Sequence, residues 1–175
     1  MAATGENTPR RVAMSVSDSL FACLDRLGIA HETVEHPPVF TVADGGDWKH
    51  EIAGLHCKNL FMKDARGRIF LAVLPGDKRA DMRSIERQAG AGRLSFGKPD
   101  LLMEVLGVEP GSVTPFALIN DRDRRTTVIL DADMMASERV NYHPLRNDAS
   151  TTIAAADLVK FLNALGYRPL VFDCG

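Results

Sequence analysis

Cysteine is scarce and unpatterned: Cys23, Cys57 and Cys174 are the only three, and no two of them form a CxxC pair. This argues against a zinc ribbon or a disulfide framework, and the scatter suits a reducing cytoplasm, the expected location. The five histidines fall in no HxxxH or comparable spacing, so neither a metal nor a cofactor is expected. Carboxylates are dispersed, with no pair spaced as an acid and a base. No apolar run approaches the length of a membrane span. Residues 1–14 contain Arg10-Arg11 with no apolar core behind them, and read as a frayed polar tail rather than a signal peptide. An excess of positive charge is also missing. With a net charge of −2, the whole-molecule field gives no help with nucleic acid, and any such contact must come from a local basic patch.

What is present suits one globular domain over residues 15–175. The chain of 175 residues is 45% apolar and 25% charged, enough for a sizeable core. No repeat, low-complexity stretch or long linker divides it. Ser17 can cap a helix over 18–27, stopped by Gly28. A short strand over 29–35 ends at His36-Pro37-Pro38. Residues 81–88 read as a helix ending near Gly90, residues 94–96 as a strand, and residues 100–106 as a helix between Pro99 and Gly107. Strands are expected at 116–119, 126–130, 139–143 and 170–172. A last helix should open at Thr152, or at Asp157 in a later register, and run to Leu165. These elements predict an α+β fold, with a mixed, mainly antiparallel central sheet surrounded by helices.

The stretch that organises the chain runs from His56 to Asp64. Leu60, Phe61 and Met62 suit a pleated, buried surface, and Asp64-Ala65-Arg66-Gly67 supplies a turn into the apolar run 69–74, which predicts a β-hairpin. Lys58-Asn59 does not fit a plain core strand. A lysine there must reach water, be paired, or face a cleft. His56-Cys57 is a poor nucleophile and base, because neighbours on a strand point to opposite faces. The loop Gly111-Ser112-Val113-Thr114-Pro115 can aim consecutive N–H groups at one oxygen, although most such loops merely connect elements. His143, Asn147 and the run Ser150-Thr151-Thr152 complete the candidates; alone, the histidine reads as structural and the hydroxyls as a helix cap.

Taken in order, these residues resemble the YbaK family of aminoacyl-tRNA deacylases, which includes the insertion domain of bacterial prolyl-tRNA synthetases. The resemblance rests on residues 36–42, on Cys57-Lys58-Asn59-Leu60-Phe61-Met62-Lys63-Asp64, on Leu94-Ser95-Phe96, on the Gly111-to-Pro115 loop, and on His143-Pro144-Leu145-Arg146-Asn147. It is strongest toward the free-standing alanyl-tRNA(Pro) deacylases. It implies hydrolysis of the ester joining a wrong amino acid, alanine first, to tRNA(Pro), with prolyl-tRNA synthetase as a possible partner.

In that frame Lys58 would hold the terminal adenosine or stabilise charge developing at the ester. The N–H groups of Gly111 and Ser112 would polarise the carbonyl. His143 would position substrate or water, supported by Asn59, Asn147 and Pro115, and water would be the attacker. Phe40 and Val42 are candidates for the wall of a size-selective pocket. Lys78, Arg79, Arg83 and Arg87, around the helix after Pro75-Gly76, are candidates for tRNA contact; a solvated helix face is the simpler reading. A cysteinyl-tRNA deacylase, a non-catalytic nucleic-acid-binding module and an inactive partner subunit are the alternatives.

Overall fold

The structure, a computed structural model, describes residues 15–40 and 46–175. The tail expected over 1–14 and the wall residue Val42 lie outside the described residues. Eight strands form one mixed sheet in the order β1-β7-β6-β2-β3-β5-β8, with β4 paired to β2 off that path. The strands are β1 (Glu32–Glu35), β2 (Leu55–Asp64), β3 (Ile69–Pro75), β4 (Leu94–Phe96), β5 (Thr126–Asp131), β6 (Arg139–Tyr142), β7 (Ala149–Ala154) and β8 (Leu170–Phe172). The helices are α1 (Asp18–Arg26), α2 (Met82–Ala89), α3 (Pro99–Leu106), α4 (Ala132–Met135) and α5 (Ala155–Ala164).

The expected hairpin is the middle of the sheet. β2 and β3 pair antiparallel from Cys57 opposite Pro75 to Lys63 opposite Ile69. Asp64 closes their turn by accepting the backbone N–H groups of Arg66 and Arg68, both at 3.0 Å. Every residue of β3 is buried, because helices or loops cover both faces. On one face Phe61, Leu71 and Val73 meet α1, α3 and α5 through Leu24, Leu106 and Phe161. On the other, Met62, Phe70 and Leu74 meet α2 through Ile85. Ile85 is the only buried residue of α2, so this single side chain anchors the helix, at about 1.5–3 kcal/mol for its burial.

Three expectations need correction. Residues 116–119 lie in a 3-10 helix, Pro115–Asn120, rather than a strand. Pro115 presets the first helical φ, and the Thr114 hydroxyl accepts the Phe116 N–H, so a short apolar run is drawn into a turn. The run Ser150-Thr151-Thr152 is no helix cap but the middle of β7, between β1 and β6. Its β-branched residues suit a pleated surface, and α5 begins only at Ala155. Ser17 stands at the start of α1, yet its hydroxyl does not cap the helix; it donates to the carbonyl of Pro144 and fastens α1 behind His143.

Candidate active site

β2 has more neighbours than a strand has edges. β3 takes one edge. The other edge is shared: Leu55 and His56 pair parallel with Val140 and Asn141 of β6, and Met62 to Asp64 pair antiparallel with β4. Between these partners Lys58, Asn59 and Leu60 face no strand on that flank. A cavity of about 300 Å³ opens there, lined by this stretch, by Asn141, Tyr142 and His143 at the end of β6, and by Gly111 and Val113. Val39, Phe40, Trp48 and Lys49 form its outer wall. The described lining holds Lys49 and Lys58 and no carboxylate, and Lys58 carries positive charge into the cavity despite the negative net charge.

Lys58 is half-buried and makes no ion pair among the described residues. A cation left unpaired in a partly dry cleft is available to a ligand rather than to the fold. The Asn59 side chain donates Nδ2–H to the Val113 carbonyl at 3.0 Å, while its Oδ1 is buried without a hydrogen-bond partner. Asn141, beside His56 in the parallel register, has the complementary state. Its Oδ1 accepts the Thr152 hydroxyl, and its buried Nδ2 donates to nothing among the described residues. Both residues line the cavity, while the unmatched acceptor and the unmatched donor are themselves buried.

His143 donates Nδ1–H to the Ala149 carbonyl at 2.9 Å, which fixes the tautomer and leaves Nε2 as an acceptor. Burial holds its pKa below the ordinary imidazole value; the Ala149 bond opposes this and neighbouring His36 adds to it. His36 stacks on Trp48 with ring centroids 3.9 Å apart, and its Nε2 lies 2.9 Å from the Ser150 hydroxyl. Burial pushes the Cys57 thiol up to about 12, so it is no thiolate at neutral pH. His56 is turned elsewhere, with Nε2 on the Lys49 carbonyl at 2.9 Å.

Phe40, Lys58, Asn59, Gly111 and His143 thus line one cavity. Gly111 adopts φ +90°, a backbone conformation that strains any residue with a side chain, so glycine is what this turn of the loop beside Phe40 requires. The remaining candidates stand apart. The Ser112 N–H is committed to the Glu109 carbonyl at 3.0 Å, so only Gly111 is left to offer a backbone donor. Pro115 is buried in the 3-10 helix behind the loop. Asn147 acts as a latch: its Nδ2–H reaches the Val39 carbonyl and its own carbonyl accepts the Val39 N–H, both at 3.1 Å.

Lys78 departs most from expectation. Its ammonium contacts the carboxylates of Asp131, Asp133 and Asp173 at 2.8, 2.8 and 2.6 Å, so it is spent inside the protein. Desolvation opposes its charge, but the three carboxylates raise its pKa regardless. Arg79 precedes α2, and Arg83 and Arg87 lie on its exposed side. Sequence reading passed over Asn141 and Trp48, and took Ser150 for part of a helix cap. An asparagine within a strand carries no periodic signal, and Ser150 was hidden by the misplaced helix start.

Residues 36–161, which span every element of this cavity, match the family model described as an aminoacyl-tRNA editing domain. The chain belongs to the aminoacyl-tRNA editing domain family. Among editing-domain proteins it is 35% identical over 152 residues to the zebrafish (Danio rerio) prolyl-tRNA synthetase associated domain-containing protein 1, covering 86% of this chain and 83% of that one. It is 32% identical over 154 residues to the prolyl-tRNA editing protein ProX of Acetoanaerobium sticklandii, covering 87% and 94%. The crystal structure of a candidate trans-editing enzyme for prolyl-tRNA synthetase superposes with a TM-score of 0.71 at 20% identity, over 93% of this chain and 98% of that one. That likeness shows the editing-domain fold: α+β, a mixed sheet with helices about it.

Proposed function

We propose that this editing domain is a trans-editing deacylase that hydrolyses alanyl-tRNA(Pro). The observation that carries the reading is the cavity itself, which brings Lys58, unpaired among the described residues, together with Asn59, Gly111 and His143. An aminoacyl ester supplies what such a cavity can bind: carbonyl and ribose oxygens for the cation and the backbone N–H, and a hydroxyl or water for the imidazole. The names of its relatives support tRNA(Pro) as the carrier and prolyl-tRNA synthetase as the enzyme whose errors it removes.

In this reading water attacks the ester carbonyl, helped by the ribose hydroxyl next to the ester. The bond to the ribose oxygen breaks, and that oxygen leaves with a proton. Lys58 and the Gly111 N–H stabilise the oxygen on which negative charge develops. Neutral His143 accepts a hydrogen bond at Nε2 from the water or the ribose hydroxyl and positions it. A thiol route is disfavoured by the raised pKa of Cys57. A proline site cannot strongly reject a smaller residue by lost contact alone, so a second site that excludes proline by size completes the discrimination. Phe40 and Trp48 are the described part of that wall.

The test is to incubate the protein with alanyl-, cysteinyl- and prolyl-tRNA(Pro) and follow release of the amino acid. Turnover of the alanyl substrate with prolyl-tRNA spared is expected. Preference for the cysteinyl ester would move the assignment to a cysteinyl-tRNA deacylase, and no turnover of any would refute deacylation.

A further inference from the structure

We propose that Phe96 is a stacking platform for the unpaired base next to the aminoacylated adenosine; this rests on the deacylase reading above. Phe96 is 66% exposed, among the largest exposures of any apolar side chain described, although it sits in a strand. An aromatic ring left open on a strand that borders the cavity is available for a base to stack on, and its position indicates which base.

Phe96 lies directly opposite Met62 in the β2–β4 register, so the two side chains share a face. Lys58 and Leu60 share that face too, being four and two residues earlier on β2. At about 3.3 Å per residue, with one strand spacing added, Phe96 stands about 14 Å from Lys58. β4 is also the strand that bounds the gap where the cavity opens. The flank of β2 that no strand covers thus leads from a ribose and base held at Lys58 toward β4.

The surroundings favour a nucleic acid strand over a protein partner. α2 covers Leu94, two residues earlier on the same face, and stops short of Phe96. Arg83 and Arg93 line one depression beside Leu94, and Lys98 follows in the chain; none of the three makes an ion pair among the described residues. Glu86 shares the depression, but its carboxylate is occupied by the Leu94 N–H at 2.7 Å. Cations around Leu94, two residues from the exposed ring, supply with it the two parts of a single-strand site, with phosphates drawn to the charge and a base to the π-face. The backbone that carries the ring is fixed: a Cβ at Gly97 would lie 2.4 Å from the Phe61 ring, so the chain after Phe96 rests directly on that side chain.

The experiment compares Phe96→Ala and Phe96→Trp with the parent on two substrates, alanyl-tRNA(Pro) and the alanyl ester of adenosine alone. Phe96→Ala should lose about 10- to 100-fold in kcat/KM on the tRNA, mostly through KM, and stay within about twofold on the adenosine ester, with Trp restoring the tRNA activity. Unchanged tRNA activity, or equal loss on both substrates with melting temperature unaltered, overturns the platform. A second measurement separates this from the reaction itself. An uncharged acceptor-stem hairpin carrying 2-aminopurine at the penultimate position should be quenched by the parent protein and not by Phe96→Ala, whether or not any ester is hydrolysed. Absence of Phe96-dependent quenching overturns the proposal, and absence of hydrolysis with quenching intact overturns only the deacylase reading.

Discussion

The Asn59 amide donates to the Val113 carbonyl at 3.0 Å, which ties the strand carrying Lys58 to the loop carrying Gly111. Asn59→Asp keeps the shape, removes the donor and sets a carboxylate against a carbonyl. Turnover is expected to fall by about 10²-fold or more, because a misplacement of about 1 Å costs that much. Stability should fall by about 1–3 kcal/mol, the cost of leaving a buried group unmatched. Single-turnover deacylation and a denaturant melt on the same variant check both; a parent-like rate would show that the strand–loop tie is not needed.

Lys58→Ala should fold like the parent, since its half-buried side chain makes no ion pair among the described residues. Its deacylation of alanyl-tRNA(Pro) should drop by about 10²-fold or more. Lys58→Arg should rescue poorly, because a planar guanidinium fork replaces a compact ammonium in a small cleft. Full activity in Lys58→Ala would dismiss the site.

Cys57→Ala is expected to stay within a few-fold of the parent rate. The thiol is held near 12 by burial and lies on the core side of its strand. Loss of turnover with an unaltered melting curve would reinstate a thiol mechanism.

Asp64 gives the fold an acid limit. Burial works against its ionised form, but N–H bonds from Gly92, Arg68 and Arg66 outweigh burial and lower its pKa to about 2. A carboxyl whose folded pKa lies below its unfolded value, about 3.9, stabilises fully above that value and loses the contribution as pH falls toward 2. Stability measured between about pH 5 and pH 2 should decline, and Asp64→Asn should remove part of the slope. An identical slope in the variant would place the acid sensitivity elsewhere.

Lys78→Ala should unfold more easily by about 3 kcal/mol, because it strands the fully buried Asp131 carboxylate without its cation. The salt dependence of tRNA binding should not change. Charge reversal at Arg83 and Arg87 should do the opposite, leaving the melt intact and weakening binding with a shallower salt slope. Equal behaviour of the two kinds of variant would refute the division between clamp and contact surface.

Much of the fold was legible where one local rule dominated. The β2–β3 hairpin followed from two apolar runs around a turn, and α3 from Pro99 and Gly107 at its ends. Strand β7 was not legible, because Ser150-Thr151-Thr152 is polar and is made strand-like by pairing with β1 and β6, which lie far away in the chain. Residues 115–120 failed for the reverse reason: a buried apolar run looks the same in a strand and in a short helix. Lys58 was conspicuous as a charge among apolar residues. Asn141 was invisible, since its importance lies in one unmatched N–H that only the neighbouring Thr152 and the cavity reveal. Lys78 was misread because opposite charges from three later points in the chain converge on it.

The outer wall is joined to the rest by the Asn147 latch, the His36–Ser150 contact and the His56–Lys49 bond, whereas Lys58, Gly111 and His143 belong to the sheet and its loops. Replacing Phe40 or Trp48 therefore reshapes what fits while those three residues keep their places. Under the proposed reaction, a lineage can drift from one amino acid to another by exchanging those two side chains. The clip at Val39 makes substrate choice an evolvable trait, separable from the chemistry beneath it.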